Sequence, residues 1–162
     1  MCEIIKVGMA DMKTCTAPDG LTTLGLGSCI GAVIYDPDSK ISGMVHVMLP
    51  DSTSIKENSN KAKFADTGIV CLVDELTAKG ANRKRLVAKI AGGAQMFSFG
   101  SSSSDFNKIG ERNANAVKDK LSELDIPLIA EETGGNAGRT IIFDSNTGSL
   151  TIKTVGKPVK NI

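Results

Sequence analysis

The chain has 162 residues, 41% hydrophobic and 23% charged, which suffices to bury a self-supporting core in one domain, residues 1–162, without disulfides or metal. Its 19 basic and 18 acidic residues leave a formal net charge of +1, so no global field draws it to nucleic acid or to an anionic membrane. No stretch nears the roughly 20 apolar residues that span a bilayer, Met1-Cys2-Glu3 opens no secretory signal, and the expected compartment is the reducing cytoplasm.

In chain order, Ile4 to Met12 shows loose apolar alternation and reads as a strand, followed by turn-rich Thr14 to Gly20. Leu21 to Leu24 reads as extended, Gly25-Leu26-Gly27-Ser28-Cys29 as a glycine-punctuated bend, and Ile30 to Tyr35 as an apolar strand ending at Asp36-Pro37-Asp38-Ser39-Lys40. Ile41 to Leu49 returns as its hairpin partner. Polar residues 51–60 form an exposed loop, and Ala65, Ile69, Leu72, Val73 and Leu76 then mark one face of a helix. That helix closes near Lys79-Gly80, where glycine suits a left-handed cap. Leu86 to Ala91 is a strand, and Gly92-Gly93 opens a loop running through the serine tract Ser101 to Ser104. A second helix carries Val117, Leu121 and Leu124 on one face and stops at Asp125-Ile126-Pro127. Leu128 to Glu131 is a short strand, residues 134–138 are a glycine-rich turn, and Thr140 to Thr154 is a hairpin turning at Asn146-Thr147-Gly148. Helices between strands, with hairpins towards both ends, predict an α+β fold with a mixed sheet.

The chemistry concentrates on Cys29 and His46, the one histidine in the chain. If the hairpin closes with Asp36 opposite Ser39, Cys29 faces His46 directly. Pro37 resists the positive φ of the tightest turns, which favours a longer loop. Asp36 then pairs with Ile41, Cys29 faces Met48, and His46 lies on the adjacent diagonal. Both odd registers put thiol and imidazole on one face of the sheet, whereas an even register separates them onto opposite faces. A free thiol with a pKa of about 8.5 is mostly protonated at neutral pH, and a neighbouring imidazole can take its proton and later return it to a leaving group. Gly25 and Gly27 allow the backbone to bend and approach a substrate. The N–H groups around Gly27 and Ser28 are oxyanion donors in this reading, each contributing roughly 3 kcal/mol. Thr23, six residues before Cys29, shares its face if the segment stays extended, and its hydroxyl can orient the imidazole. Cys2, Cys15 and Cys71 read as packing residues, as cysteines of cytoplasmic domains usually are. The four cysteines form no C-x-x-C pair, so zinc-ligand spacing is absent.

The segments Thr23-Leu24-Gly25-Leu26-Gly27-Ser28-Cys29 and Gly43-Met44-Val45-His46-Val47-Met48-Leu49-Pro50 resemble those of the chemoreceptor glutamine deamidases, the CheD family. The resemblance continues through Lys89 to Phe97, Ile109-Gly110-Glu111-Arg112-Asn113 and Gly134-Gly135-Asn136-Ala137-Gly138-Arg139, nearly the whole chain. It implies a catalytic cysteine, histidine and threonine, falling on Cys29, His46 and Thr23. It implies two packed mixed or antiparallel sheets between outer helices, an α/β/β/α arrangement similar to that of bacterial deamidating toxins. The implied activity converts selected glutamines on the cytoplasmic helices of methyl-accepting chemotaxis receptors to glutamate, through a cysteine thioester and with release of ammonia. The implied second partner is a CheC-type phosphatase, and no cofactor is implied. The same thioester route allows cleavage of glutamyl methyl esters, and a chiefly regulatory role towards the phosphatase is a further alternative. The 51–61 loop and the serine tract are the expected contacts for a receptor helix.

Overall fold

The computed structural model describes residues 2–96 and 108–162; the serine tract Ser101 to Ser104 lies outside them. Ten strands are described: β1 (Ile4–Lys6), β2 (Met12–Thr16), β3 (Gly20–Leu26), β4 (Ile30–Asp36), β5 (Ile41–Val47), β6 (Val87–Gly92), β7 (Leu128–Thr133), β8 (Arg139–Asp144), β9 (Ser149–Thr154) and β10 (Lys160–Asn161). The helices are α1 (Ala65–Ala78) and α2 (Ile109–Glu123). The strands form two five-stranded sheets, one ordered β1-β3-β8-β9-β10 and the other β2-β5-β4-β6-β7. Both are mixed, because β1–β3 and β6–β7 pair in parallel and the remaining pairs are antiparallel. The fold is therefore α+β with two packed sheets.

Strand parity divides the apolar residues between two cores. On one face of the second sheet Ile30, Ala32, Ile34, Val45, Val47, Ala88 and Ile90 meet Ile69, Leu72, Val73 and Leu76 of α1 and Ala114, Val117 and Leu121 of α2. On the other face Val33, Tyr35, Met44 and Ala91 pack against Leu21, Leu26, Ile141, Phe143, Leu150 and Ile152 of the first sheet. All seven residues of β4 are buried, as the continuous apolar run of a strand covered on both faces requires. The layering is less symmetric than the resemblance implies. Both helices cover the second sheet, whereas the outer face of the first carries polar Thr22, Thr151 and Lys153, half-buried or exposed.

The reading of Ile4 to Met12 as one strand is corrected. The chain pairs first with β3 in one sheet, leaves at Lys6, turns through Ala10 at φ 55°, and re-enters as β2 beside β5 in the other sheet. Thr14, Cys15 and Thr16, expected in a turn, belong to β2, where Cys15 is buried in the inter-sheet core. Strand pairing with β5 outweighs the turn tendency of this polar stretch. The helix stop at Lys79-Gly80 is as read, with Gly80 at φ 108°.

Candidate active site

The β4–β5 hairpin takes the longer of the two expected registers. Asp36 pairs with Ile41 and Gly31 with His46, and the ladder ends at Ile30–Val47. Asp36 anchors the loop by accepting from the N–H groups of Asp38 and Asn82 at 3.0 and 2.8 Å. It also accepts from Arg85 Nε and Nη2 at 3.0 and 2.9 Å. The Arg85 guanidinium holds the Asp36 carboxyl well below the usual carboxylate range, against the opposing effect of burial.

This register puts His46 on the inter-sheet face, the side of Met44, Val33 and Tyr35. Cys29, one residue before β4, packs against the same inter-sheet core and is half-buried. The thiol and the imidazole thus lie on one side of the sheet, with Cys29 one residue beyond the end of the ladder. Opposite His46 stands Gly31. A Cβ there would lie 2.6 Å from Ile141 Cδ1 and 3.1 Å from Leu26 Cδ1, so the facing sheet already fills the space a side chain would need.

Thr23 reaches this site by another route than an extended segment. β3 breaks register between Thr23 and Leu26, Gly25 takes φ 70°, and the chain crosses from one sheet to the other over residues 27–29. Thr23 consequently meets His46 across the inter-sheet space. Its Oγ1 lies 2.7 Å from His46 Nδ1 and donates to the carbonyl of Val7 at 2.7 Å. A hydroxyl has one proton, and Val7 takes it, so Nδ1 of the neutral imidazole must be the donor to Thr23. This assigns the proton to Nδ1 and leaves a lone pair on Nε2, which is buried and has no partner among the described residues. His46 and Thr23 are both fully buried. Burial pushes the His46 imidazole down and the Cys29 thiol up. Both shifts favour the uncharged forms, thiol and neutral imidazole.

Around Cys29 the backbone is held from several sides. Gly93 N–H donates to the Cys29 carbonyl at 2.9 Å and Ala94 N–H to the Gly27 carbonyl at 2.8 Å. Gly92 has φ 117°, and a Cβ on it would run into the Cys29 carbonyl. At Gly27 the space is tight, since a Cβ there would sit 3.0 Å from Cγ of the Met96 side chain. The Ser28 and Cys29 N–H groups find no backbone acceptor among the described residues.

Two residues that sequence reasoning left without a role also converge here. Asn113 of α2, fully buried, donates through Nδ2 to the carbonyls of Ser28 and Met48 at 2.9 and 3.0 Å. Arg139 at the start of β8 donates to the Gly92 and Gly134 carbonyls at 3.1 and 2.9 Å and pairs with Glu132 at 2.6 Å. It thereby ties the 92–95 loop to the 134–138 turn. Both residues fall in the 109–113 and 134–139 segments, but the contacts that join them to the site are to main-chain carbonyls, which no side-chain pattern reveals. The three other cysteines lie outside this cluster: Cys15 is in the inter-sheet core and Cys71 is on α1, whereas Cys2, expected to pack, is exposed. In the 51–61 loop, Ser52 is fixed by Asp66 at 2.7 Å while residues 53–61 are exposed.

A half-buried thiol on the same inter-sheet side as an oriented imidazole, beside N–H groups with no backbone acceptor among the described residues, is suited to acyl transfer from a carbonyl compound to sulfur. The comparisons with known proteins make this class specific. Residues 48–154 match the family model described as CheD chemotactic sensory transduction. A protein of Lachnoclostridium phytofermentans, named "Probable chemoreceptor glutamine deamidase CheD", is 63% identical over 162 residues, covering 100% of both chains. Another, from Halalkalibacterium halodurans and named "Chemoreceptor glutamine deamidase CheD", is 52% identical over 163 residues, again covering 100% of both. A solved structure, the Bacillus licheniformis hypothetical protein YfiH, is similar with a TM-score of 0.40 and 16% identity, covering 72% of this chain and 51% of that one. The chain belongs to the CheD family. The family model begins past His46 and so does not reach Thr23, Cys29 or His46.

Proposed function

We propose that this chain is a protein-glutamine deamidase acting on the cytoplasmic helices of methyl-accepting chemotaxis receptors, with Cys29 as nucleophile, His46 as general base and acid, and Thr23 as the residue that orients His46. The observation that carries the mechanism is the hydrogen-bond chain from Val7 through Thr23 to His46 Nδ1, which leaves the Nε2 lone pair available for the thiol proton. His46 takes that proton as sulfur attacks the side-chain amide carbon of glutamine. The oxyanion is held by N–H groups of the 27–29 bend, those of Ser28 and Cys29. Collapse of the tetrahedral intermediate breaks the C–N bond, with His46 protonating the nitrogen that leaves as ammonia. Water, deprotonated by His46, then attacks the thioester; glutamate leaves and the thiol regains its proton.

A protein substrate fits the surface around the bend. Met9, Leu24 and Met96 are 64%, 46% and 44% exposed. Met9 and Leu24 line an open groove with Val7, whose carbonyl holds Thr23, while Met96 packs over Gly27. Exposed apolar side chains grouped beside a reactive thiol suit an amphipathic helix better than a small polar amide. The exposed loop 53–61 is a further contact for such a helix. We assign the chain one deamidase domain working in the cytoplasm, where its four free thiols stay reduced. No described helix is long and apolar enough to cross a membrane. A CheC-type phosphatase is the second partner that the family resemblance supplies.

Ammonia and methanol released from a purified receptor cytoplasmic fragment test the reading together. Ammonia in stoichiometric yield with no methanol is the expected result. Methanol from methylated fragments, without ammonia from unmodified ones, would make the chain an esterase instead. Co-sedimentation of Cys29→Ala protein with the phosphatase tests the binding partner independently of catalysis.

A further inference from the structure

We propose that Asn113 is a positioning residue for the deamidation reaction, clipping the Ser28 carbonyl to the Met48 carbonyl so that the Cys29 N–H points at the oxyanion. The inference rests on the functional reading above and concerns a residue outside the Cys29–His46–Thr23 set.

The β4–β5 ladder ends at Ile30–Val47. Beyond it the two strands part, because the Leu49 N–H, which a continued ladder would give to the Ser28 carbonyl, goes to the carbonyl of Lys63 at 3.0 Å. The Ser28 carbonyl thus loses its cross-strand donor, and no backbone donor among the described residues reaches it or the Met48 carbonyl. Asn113 Nδ2 has two protons and gives one to each, at 2.9 and 3.0 Å. One amide group from α2 therefore bridges the two strand ends that carry the nucleophile and the histidine. The helix can come this close because residue 110 is glycine: a Cβ there would lie 2.5 Å from the Ala94 carbonyl and 2.6 Å from that of Gly93.

The consequence follows from peptide geometry. The Ser28 carbonyl and the Cys29 N–H belong to one trans peptide plane and point in opposite directions. Fixing the carbonyl on Asn113, on the helix side, fixes the direction of that N–H away from the helices. Asn113 itself is fully buried and packed beneath the strands, so it touches the reacting atoms only through this plane. An oxyanion donor acts in the transition state and not on the bound amide, so loss of the clip should lower kcat and leave KM little changed.

Alkylation of Cys29 by iodoacetamide separates this role from general loosening, because displacement of iodide by sulfur develops no oxyanion. In a Cys2→Ser, Cys71→Ser background, Asn113→Ala and the near-isosteric Asn113→Asp should lower kcat for ammonia release roughly ten- to hundredfold. KM and the Cys29 alkylation rate, followed by peptide mass spectrometry, should stay within about twofold of the parent. Asn113→Ser, which keeps one donor in less space, should fall between; thermal melts confirm that each variant is folded at the assay temperature. If deamidation and alkylation fall together in every folded variant, or kcat is unchanged, the inference is wrong. If the parent protein releases no ammonia at all, the functional reading itself has failed, whatever Asn113 does.

Discussion

Replacing Thr23 with valine removes one hydroxyl from a fully buried site while keeping its volume. The hydroxyl accepts from His46 Nδ1–H and donates to Val7, both at 2.7 Å. Without it, an imidazole that keeps its proton on Nδ1 has a buried N–H with no acceptor, a penalty of about 1–3 kcal/mol in stability. The ring can relieve this by moving the proton to Nε2, but that uses up the lone pair meant for the thiol. A neutral hydrogen bond contributes about 1 kcal/mol net. The base-competent tautomer should accordingly lose about five- to tenfold in population, and kcat should fall by the same factor. His46→Ala and Cys29→Ala should abolish turnover. Initial rates of ammonia release give the kinetic half. Nitrogen–proton correlation spectra give the structural half without ambiguity, because the chain has one histidine. They should report an Nδ1–H tautomer in the parent and a shift towards Nε2–H in Thr23→Val. Thr23→Ser keeps the hydroxyl and should stay within about threefold of the parent. A Thr23→Val protein as inactive as His46→Ala, or fully active with its tautomer unchanged, would refute the reasoning.

Other expectations concern pH and packing. Burial lowers His46 and raises Cys29, so the neutral pair persists over a wider interval than free groups would allow. Activity fails on the acid side only when His46 gains a proton; the acid limb of kcat/KM should lie below the ordinary imidazole value of about 6.5, and a limb at or above it would contradict a buried base. Gly31→Ala should cost about 1–3 kcal/mol by urea unfolding, because its Cβ meets Ile141 Cδ1 at 2.6 Å; an unchanged midpoint would show that the facing sheet yields. Asp36→Ala should cost about 2–3 kcal/mol, since it strands the Asn82 N–H and releases Arg85. The Asp36 carboxyl titrates lower in the folded than in the unfolded chain, where its ordinary value is 3.8. Its contribution is therefore complete above that value and is lost as pH falls further. The parent and Asp36→Ala should accordingly converge in stability in strong acid but not at pH 7.

Much of the site could be read before the fold was known, for reasons that differ by residue. The hairpin was legible because β4 and β5 are apolar on both faces, and Pro37 favoured the longer of two odd registers without fixing it. Parity alone then put Cys29 and His46 on one face. For Thr23 the partner was right and the path was not. Parity along an extended segment does not hold, because the bulge at Gly25 sends the chain to the opposite sheet, and a hydroxyl facing His46 from there is a tertiary fact. Residues 4–16 misled for a related reason: loose alternation cannot show that a strand changes sheets halfway. Asn113, Arg139 and Gly92 act on carbonyls of the 27–29 bend and the 92–95 loop. A sequence carries no local mark of a main-chain acceptor awaiting a donor.

Peptide mass spectrometry of a chemoreceptor cytoplasmic fragment, incubated with the parent protein and with folded Cys29→Ala, tests the central claim most directly. The parent should add about one dalton, the difference between amide and acid, at a small set of glutamines, and Cys29→Ala should add none. The same glutamines converted at the parental rate by the Cys29→Ala protein would contradict a cysteine-dependent mechanism.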